Sequence, residues 1–306
     1  MSMSPDSYAS LRSAAQYVRA FRGKTFVFKL GGEVLEDAVV RRAVCEQLNV
    51  LWSFSIKLVI VHGGGASLDA LCESLALPVE KVAGRRVTTR QVLEAAKMVL
   101  AGSVHTDLLA DLRAAGLPVT GVSGVDGGLL KARKRAPMQI KNDAGQAEFV
   151  DFGLVGDIEQ VNPALLTHLL DGGYVPVVTP LSANDKGEVF NTNADTVAAE
   201  IALALKAEKL FFLLKVPGLL EDLARPSSLV PCTTLSGAEL LEKNGKISGG
   251  MRPKLAAVRR ALTGGVTSAH LVSGVVTDAV LTEVFTNQGS GTMIVARSDS
   301  VKEQAA

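Results

Sequence analysis

The stretch Thr25-Phe26-Val27-Phe28-Lys29-Leu30-Gly31-Gly32 carries an apolar run into a lysine and then into two glycines. An apolar run of this kind predicts a buried strand, and the glycines predict a turn with accessible backbone N–H groups at its end. An ammonium group beside such N–H groups is a combination that binds phosphate. The stretch therefore indicates a strand of an α/β sheet that ends at an anion-binding site.

The same pattern returns where Leu58-Val59-Ile60-Val61 runs into His62-Gly63-Gly64-Gly65, and a second lysine, Lys254, follows Gly249-Gly250-Met251. Three consecutive glycines cost backbone entropy, which indicates a ligand that approaches the main chain closely. The loop is neither a Walker A loop nor G-x-G-x-x-G. We expect His62 to pack or to hydrogen-bond rather than to catalyse. Two glycine turns and two lysines favour phosphoryl transfer over simple nucleotide binding.

Strand and helix patterns alternate along most of the chain, which predicts a mainly parallel sheet covered on both faces. We expect a three-layer αβα sandwich with an open central sheet, a β-hairpin over residues 129–155 with its turn at 142–145, and an additional helix over 8–22. The predicted strands span 25–30, 57–62, 118–122, 174–179, 209–214, 268–273 and 291–296. The predicted helices span 36–54, 66–75, 89–101, 103–115, 163–171, 195–206, 236–243 and 252–263.

Composition favours a compact α/β protein and argues against several partners. The 306 residues are 47% hydrophobic, and 32 basic residues against 31 acidic ones give a net charge of +1. This balance predicts neither a nucleic-acid groove nor a basic membrane surface. The sequence has no apolar stretch long enough to span a membrane and no secretory signal pattern, so we expect a cytoplasmic protein. Three well-separated cysteines indicate reduced thiols.

Polar residues elsewhere in the chain could complete the anion site. Arg86, placed just before a predicted helix, could clamp a substrate carboxylate with two hydrogen bonds. Asn191, Asn193 and Asp195 crowd one strand-to-helix turn. Asp195 could be only a helix N-cap, which is the commoner use, but two neighbouring amides also suggest hydrogen bonds to a substrate. Lys254 at a helix start opposes the helix dipole unless an anion binds there.

In this order the motifs resemble the amino-acid kinase superfamily, and most closely its acetylglutamate kinase family of arginine biosynthesis. The resemblance covers nearly the whole chain. It is strongest in 28–32, 61–65, 84–88, 161–166, 191–195 and 249–254. It implies an N-terminal helix (1–23), a kinase domain (24–296) with an acyl-substrate and dimer lobe at about 24–189 and a nucleotide lobe at about 190–296, and a C-terminal tail (297–306).

The resemblance also implies a reaction and a role for each site residue. ATP, with Mg²⁺, would phosphorylate the side-chain carboxylate of N-acetyl-L-glutamate. Lys29 and Lys254 would stabilise the transferring phosphoryl group, and Asp195 would hold the two ammonium groups. Gly64, Gly65, Arg86, Asn191 and Asn193 would bind the acylated amino acid. The nucleotide residues would be Gly31, Gly32, Lys215, Gly218, Leu219, Lys246, Ser248 and Met251. An ionised carboxylate needs no general base, so the lack of a catalytic His or Cys fits this reaction.

The chain departs from the family pattern in ways that leave alternatives open. Lys215 stands where the family usually has Asp, and Val275 and Asp278 replace the Arg and His often found in the arginine site. The alternatives are an aminoadipate-type kinase of lysine biosynthesis and a catalytically weak arginine-sensing protein. The N-terminal helix is similar to the one that links dimers into hexamers in arginine-sensitive members. We therefore expect a homodimer or a trimer of dimers, with arginine inhibition left open.

Overall fold

The computed structural model describes residues 5–82, 84–141, 147–222, 224–247 and 249–297. Its centre is an eight-stranded sheet in the order β14-β16-β15-β13-β1-β2-β10-β5. Neighbours in this sheet pair in parallel except β15 and β16, which are antiparallel. A four-stranded sheet, β12-β11-β6-β9, lies outside it, and β3-β4 and β7-β8 form two hairpins. The expectation of an open, mainly parallel central sheet is confirmed.

The strands are β1 (Thr25–Leu30), β2 (Lys57–His62), β3 (Lys81–Val82), β4 (Arg85–Arg86), β5 (Val119–Ser123), β6 (Leu130–Lys134), β7 (Met138–Lys141), β8 (Ala147–Val150), β9 (Gly156–Val161), β10 (Val175–Thr179), β11 (Leu181–Ala183), β12 (Val189–Asn191), β13 (Lys209–Leu214), β14 (Cys232–Thr234), β15 (Ser268–Ser273) and β16 (Thr292–Val295). The α-helices are α1 (Pro5–Phe21), α2 (Gly32–Leu35), α3 (Ala38–Ser53), α4 (Gly65–Ser74), α5 (Arg90–Met98), α6 (Val104–Ala114), α7 (Ala164–Asp171), α8 (Ala194–Ala204), α9 (Leu235–Lys243), α10 (Met251–Thr263) and α11 (Ala279–Phe285).

Alternation along the central strands divides the core into two layers. Val27 packs with α8 and α10 on one face of the sheet. Phe26 and Phe28 pack with α3, α6 and α11 on the other. Successive strand side chains point to opposite faces, so a strand without polar interruption must be covered on both. The three-layer αβα expectation is confirmed, and the apolar character of residues 25–30 follows from burial on both sides.

Several boundaries differ from the sequence expectations. The helix predicted over 36–54 is α3, which begins at Ala38 because Asp37 caps it by accepting hydrogen bonds from the N–H groups of Val39 and Val40; the short helix α2, which precedes it, was not predicted. The two helices predicted over 89–101 and 103–115 are joined by a π-helical turn, Val99–Ser103. The predicted hairpin over 129–155 is nested: β6 pairs with β9, and β7 with β8. Its predicted turn at 142–145 lies outside the described residues. Helix α11 was not predicted at all.

The additional N-terminal helix is confirmed, and the end of it packs on its own chain. Phe21 lies edge-on to Phe26, with the ring centroids 5.3 Å apart. Tyr17 contacts Phe285 of α11 and hydrogen-bonds Asn287. The last part of α1 is therefore covered by apolar side chains of its own chain. Across the described ranges, no helix combines the length and the apolar character that crossing a membrane requires.

Candidate active site

Lys29, Asp195 and Lys254 come together from three distant parts of the chain. The ammonium Nζ of Lys29, near the end of β1, lies 2.8 Å from Asp195 Oδ1. The Nζ of Lys254, in the first turns of α10, lies 3.5 Å from Asp195 Oδ2 and donates to the carbonyl of Gly250 at 3.3 Å. One carboxylate thus faces two ammonium groups, an arrangement that the sequence motifs predicted only in part.

Burial distinguishes this ion cluster from a surface salt bridge, because its charges are only weakly screened by water. Burial opposes the charge on Asp195 and would raise its pKa. Lys29 first, and then Lys254, outweigh that effect, so the pKa of Asp195 lies below its usual value. The Lys29 and Asp195 side chains are 8% and 6% exposed, whereas Lys254 is 20% exposed. Two cations against one anion leave an excess positive charge directed at the cavity.

Asp195 is not the helix N-cap that the sequence allowed as its simpler role. Asn193 caps α8, because its side-chain oxygen accepts the N–H of Thr196 at 3.0 Å. The carboxylate of Asp195, the second residue of the helix, is therefore free to face the lysines. The amide of Asn191 donates to the Thr88 hydroxyl at 3.2 Å.

The glycine loop after β2 forms the opposite wall. The N–H of Gly63 donates to the carbonyl of Leu30 at 3.0 Å, which ties this loop to the end of β1. Gly65 begins α4, so its N–H lies at a helix N-terminus, where backbone donors have no partner within the helix. A Cβ on Gly64 would lie 2.8 Å from Leu100 Cδ2, so a side chain fits there only if Leu100 moves. The loop presents N–H groups to whatever occupies the cavity.

Arg86, from the short strand β4, reaches the same loop. One guanidinium nitrogen donates to the Gly65 carbonyl at 3.0 Å, and Nη1 lies 2.7 Å from Asp69 Oδ1. That carboxylate lies off the N–H directions of Nη1, so the contact is an ion pair and Nη1 keeps unused hydrogen-bonding capacity. A buried guanidinium with spare donors fits a second carboxylate, such as one on a substrate.

A cavity of about 220 Å³ connects these groups. Every predicted catalytic and acyl-substrate residue except Lys254 lines it, together with Gly32 of the predicted nucleotide set: Lys29, Gly32, Gly64, Gly65, Arg86, Asn191, Asn193 and Asp195. Lys254 is not part of the lining but contacts the lining residue Asp195. In parallel sheets ligands bind beyond the carboxyl ends of the strands, and β1 and β2 both end here.

The remaining predicted nucleotide residues lie elsewhere on the same edge of the sheet or in the core. Lys215, just after β13, and Lys246, just after α9, are exposed. Gly218 and Leu219 are buried; the Leu219 N–H donates to the Thr292 hydroxyl at 2.9 Å. Gly31 is buried at the end of β1, Met251 begins α10 half-buried, and Ser248 lies outside the described residues. Their roles stay predictions.

Sequence reasoning missed the residues that support the site. Asp69 on α4 pairs with both Arg86 and Lys81, and the Lys81 contact is 2.7 Å long. His62 hydrogen-bonds His105, a residue that the motifs passed over. Neither partner carries a local motif, because each acts through a residue distant in sequence. Only spacing in the folded sheet brings them into contact.

The described ranges contain no group of three or more His, Cys, Asp or Glu side chains that could hold a metal ion. The carboxylate of Asp195 at the centre of the site is already paired with two lysines. The donor set therefore suits an anion rather than a resident cation. Chemically, the arrangement can hold a carboxylate with Arg86 and stabilise negative charge as it moves between two anions.

Comparison with known proteins identifies the family of this chain. A profile of the amino acid kinase family matches residues 24–273. The acetylglutamate kinase of Myxococcus xanthus is 61% identical over 297 residues, which cover 96% of this chain and 96% of that protein. The acetylglutamate kinase of Heliobacterium modesticaldum is 40% identical, covering 93% of this chain and 96% of that protein.

Solved structures agree on the fold. N-acetylglutamate synthase from Neisseria gonorrhoeae, complexed with coenzyme A and N-acetyl-glutamate, superposes with a TM-score of 0.80 at 28% identity. The match covers 95% of this chain but spans only 64% of that synthase chain. A structure of that synthase with coenzyme A and L-arginine gives a TM-score of 0.78 at 26% identity, covering 95% of this chain and 65% of that one.

The fold, the site and the family profile together place this chain in the amino acid kinase family. The identity to full-length relatives narrows the assignment further: within that family the chain belongs to the acetylglutamate kinases. The resemblance inferred from the sequence motifs is therefore confirmed.

Proposed function

We propose that this site transfers the γ-phosphoryl group of ATP to the side-chain carboxylate of N-acetyl-L-glutamate, giving N-acetyl-L-glutamyl 5-phosphate. The observation that carries the proposal is the Lys29–Asp195–Lys254 cluster beside a cavity that Lys29, Asp195 and Arg86 all line. The nucleophile is already an anion, so the barrier to overcome is repulsion between a carboxylate and ATP. The two lysines and the N–H groups of the glycine loop reduce that repulsion by stabilising negative charge.

Each residue then has a distinct part in the reaction. Arg86 and Asn191 bind the acylated amino acid, with Asn193 beside them, and the N–H groups of Gly64 and Gly65 orient the reacting anions. Lys29 and Lys254 interact most strongly with the phosphoryl group as its charge redistributes in the transition state. Asp195 is a positioning residue: it holds both ammonium groups apart from each other and aimed at the cavity.

ATP would bind towards the nucleotide lobe, near Lys215, Gly218, Leu219, Lys246 and Met251, with Gly31 and Gly32 close to its phosphates. We propose that Mg²⁺ arrives bound to ATP phosphate oxygens, since it prefers oxygen ligands and readily bridges phosphates. In that complex it would supply further neutralisation of phosphate charge. The division into an acyl-substrate lobe and a nucleotide lobe is part of this proposal.

A hydroxamate assay tests the reaction directly. Purified protein with Mg·ATP, hydroxylamine and N-acetyl-L-glutamate should accumulate acyl hydroxamate and release ADP in equal amounts. N-acetyl-aminoadipate, one methylene longer, should react at least about tenfold less well, the scale expected for one methylene in a shaped pocket. Preference for the longer substrate would move the enzyme to the aminoadipate type. No product from either substrate would remove the kinase proposal and favour the sensing alternative.

We further propose that L-arginine is an effector bound where α1 meets α11. The Neisseria gonorrhoeae synthase in the matching structure binds L-arginine. In this chain Glu283 of α11 is a buried carboxylate that accepts the N–H groups of Ser290 and Gly291 at 2.7 and 2.9 Å. Arginine should inhibit the full chain. A chain without residues 1–22 should respond more weakly, because α1 would form part of that site.

We propose that two subunits pair through the first lobe, at about residues 24–189. Helix α1 would then join these dimers into a larger ring. Light scattering of the full chain and of the chain without residues 1–22 tests it. A larger ring that falls to dimers on truncation supports the proposal, whereas equal subunit numbers in both would rule out α1 as the linking element.

A further inference from the structure

Two buried histidines lie directly behind the glycine loop that faces the cavity. His62 ends β2 and is completely buried, and His105 lies on α6 with 8% of its surface exposed. His62 Nε2 and His105 Nδ1 are 3.0 Å apart, and His62 Nδ1 lies 2.7 Å from the carbonyl oxygen of Gly63. The kinase reaction described above gives neither ring a part.

Hydrogen-bond chemistry fixes the protons of this pair. A carbonyl oxygen can only accept, so His62 Nδ1 carries the proton that it donates to Gly63. Burial lowers the pKa of His62 to about 4, so the ring is neutral near pH 7 and its Nε2 is an acceptor. His105 Nδ1 must then carry a proton and donate it to His62. The chain of donors runs from His105 through His62 to Gly63.

This chain of donors controls which way one peptide group faces. In a trans peptide the C=O and the following N–H point in opposite directions. The Gly63 carbonyl is held towards the buried His62 ring, so the N–H of Gly64 points away from that ring. Gly64 lines the cavity. The peptide groups on either side are held by other bonds, from the Gly63 N–H to Leu30 and from the Leu68 N–H to the Gly64 carbonyl, whereas the Gly63 carbonyl itself is held by His62. Because neither glycine has a Cβ, sterics alone would let this peptide rotate.

The π-helical turn between α5 and α6 brings further side chains against the same glycine loop. It spans Val99–Ser103, directly before His105. Leu100 and Val104 would be the nearest atoms to a Cβ on Gly64. The wider turn thus lets Leu100, Val104 and His105 reach the same loop from one helix. Single π-turns within α-helices frequently occur at functional sites.

We propose that His105 and His62 are positioning residues that hold the Gly63–Gly64 peptide with its N–H directed at the substrate. The proposal rests on the proposed function, since it assigns the glycine loop to substrate binding. It adds a residue, His105, that lies outside the catalytic and substrate-binding sets. Gly121 of β5 lies close to the His105 ring, and any Cβ at this position would collide with His105 Nε2. A glycine here leaves room for the ring in the position that the proposal requires.

Kinetics of three variants test the pair. In His105→Asn an amide takes the position of the ring Nδ1 and can still donate to His62, whereas His105→Leu keeps bulk but donates nothing. His105→Leu should lower kcat/KM for N-acetyl-L-glutamate about tenfold, the scale of one hydrogen bond, mainly through KM. KM for ATP should stay within about twofold. His105→Asn should recover most of the loss, and His168→Asn, at an exposed position on α7, should change nothing.

Equal values for His105→Leu and His105→Asn in an active enzyme would overturn the positioning role. Absence of kinase activity in the unaltered protein would instead remove the proposed function, so the two failures are distinguishable.

The protonation pattern gives a test that needs no activity and no folded Leu variant. Nitrogen-15 NMR of the unaltered protein near pH 7 should show His62 and His105 both neutral with the proton on Nδ1. His62→Gln, His105→Asn and His168→Asn each remove one signal and so assign it, and the fourth signal belongs to His270. A proton on Nε2 of His62 or of His105 would contradict the donor chain and overturn the proposal.

Discussion

The acyl-substrate half of the site and the predicted nucleotide half are built differently. In the first, Lys29, Arg86 and the glycine loop converge on one cavity, and each side chain is held by a buried or half-buried partner. In the second, Lys215 and Lys246 are exposed and Gly218 is packed in the core. If the proposed roles hold, side chains are held in place where charge changes during phosphoryl transfer, whereas the lysines proposed to bind the nucleotide are exposed and free to adapt.

The largest expected effect is on the lysine pair at the boundary between the halves. Lys29→Ala and Lys254→Ala should each lower kcat by roughly 100- to 1,000-fold, the scale of one electrostatic contact to a transition state. KM for N-acetyl-L-glutamate should change much less. Steady-state kinetics with both substrates varied measures this. Lys97→Ala, on the exposed side of α5, is the control.

The same variants should differ in stability, which sharpens the comparison. Removing Lys29 leaves the buried Asp195 with only the longer contact to Lys254, so Lys29→Ala should be the less stable by several degrees in Tm. Near-normal kcat in both variants would contradict the transition-state roles of the lysines.

The second expected effect is that acid lowers the stability of the folded protein, through one buried histidine in each half. Burial lowers the pKa of His62 in the first half and of His270, beside Lys209 and Glu283 in the second, to about 4. Each unfolded ring binds a proton near pH 6.5, so the unfolded chain binds more protons between pH 6.5 and 4 and stability falls as pH falls through that window. The loss should approach roughly 3 kcal/mol for each histidine.

Urea unfolding at steps from pH 7.5 to 4.5 measures that slope. His62→Gln should make it shallower, since one of the two titrating groups is gone. His168→Asn, at an exposed histidine, is the control for replacing a ring. A free energy of unfolding that is flat from pH 6.5 to 5 would show that the two rings are not held neutral.

The sequence predicted the alternation of strands and helices, because strands buried on two faces must be apolar throughout. It also predicted the lysines and glycines of the site, because each lies beside a strand end with an unusual local composition. It could not predict what depends on the register between distant strands. The contact of His105 with His62 and the pairing of Asp69 with Arg86 both depend on the fold. The cap at Asn193 is a local contact, and it was missed because Asp195 in the same turn was also a candidate cap. Helix α11 was missed because a seven-residue helix carries too little periodic signal.

Arg86 should show a smaller effect than the lysines, and on a different parameter. Arg86→Ala should raise KM for N-acetyl-L-glutamate roughly 10- to 100-fold, the scale of a hydrogen-bonded charge pair, while lowering kcat less. The adjacent Arg85 is exposed and contacts only Met138 among the side chains of the described residues, so Arg85→Ala is a matched control. If both variants had the same KM, the carboxylate clamp would be assigned to the wrong residue.

The smallest expected effect belongs to Lys215, and it decides whether the nucleotide half is as adaptable as proposed. Its side chain is exposed after β13, where solvent screens a charge–phosphate contact to about 1 kcal/mol or less. Lys215→Ala should therefore raise KM for ATP by at most about fivefold and leave KM for N-acetyl-L-glutamate unchanged. Raising the salt concentration should weaken ATP binding to the unaltered enzyme more than to the variant, because only the former has the Lys215 charge to screen. A loss of activity comparable to that of Lys254→Ala would mean that Lys215 acts on the transferring phosphoryl group, and the contrast between the two halves would then disappear.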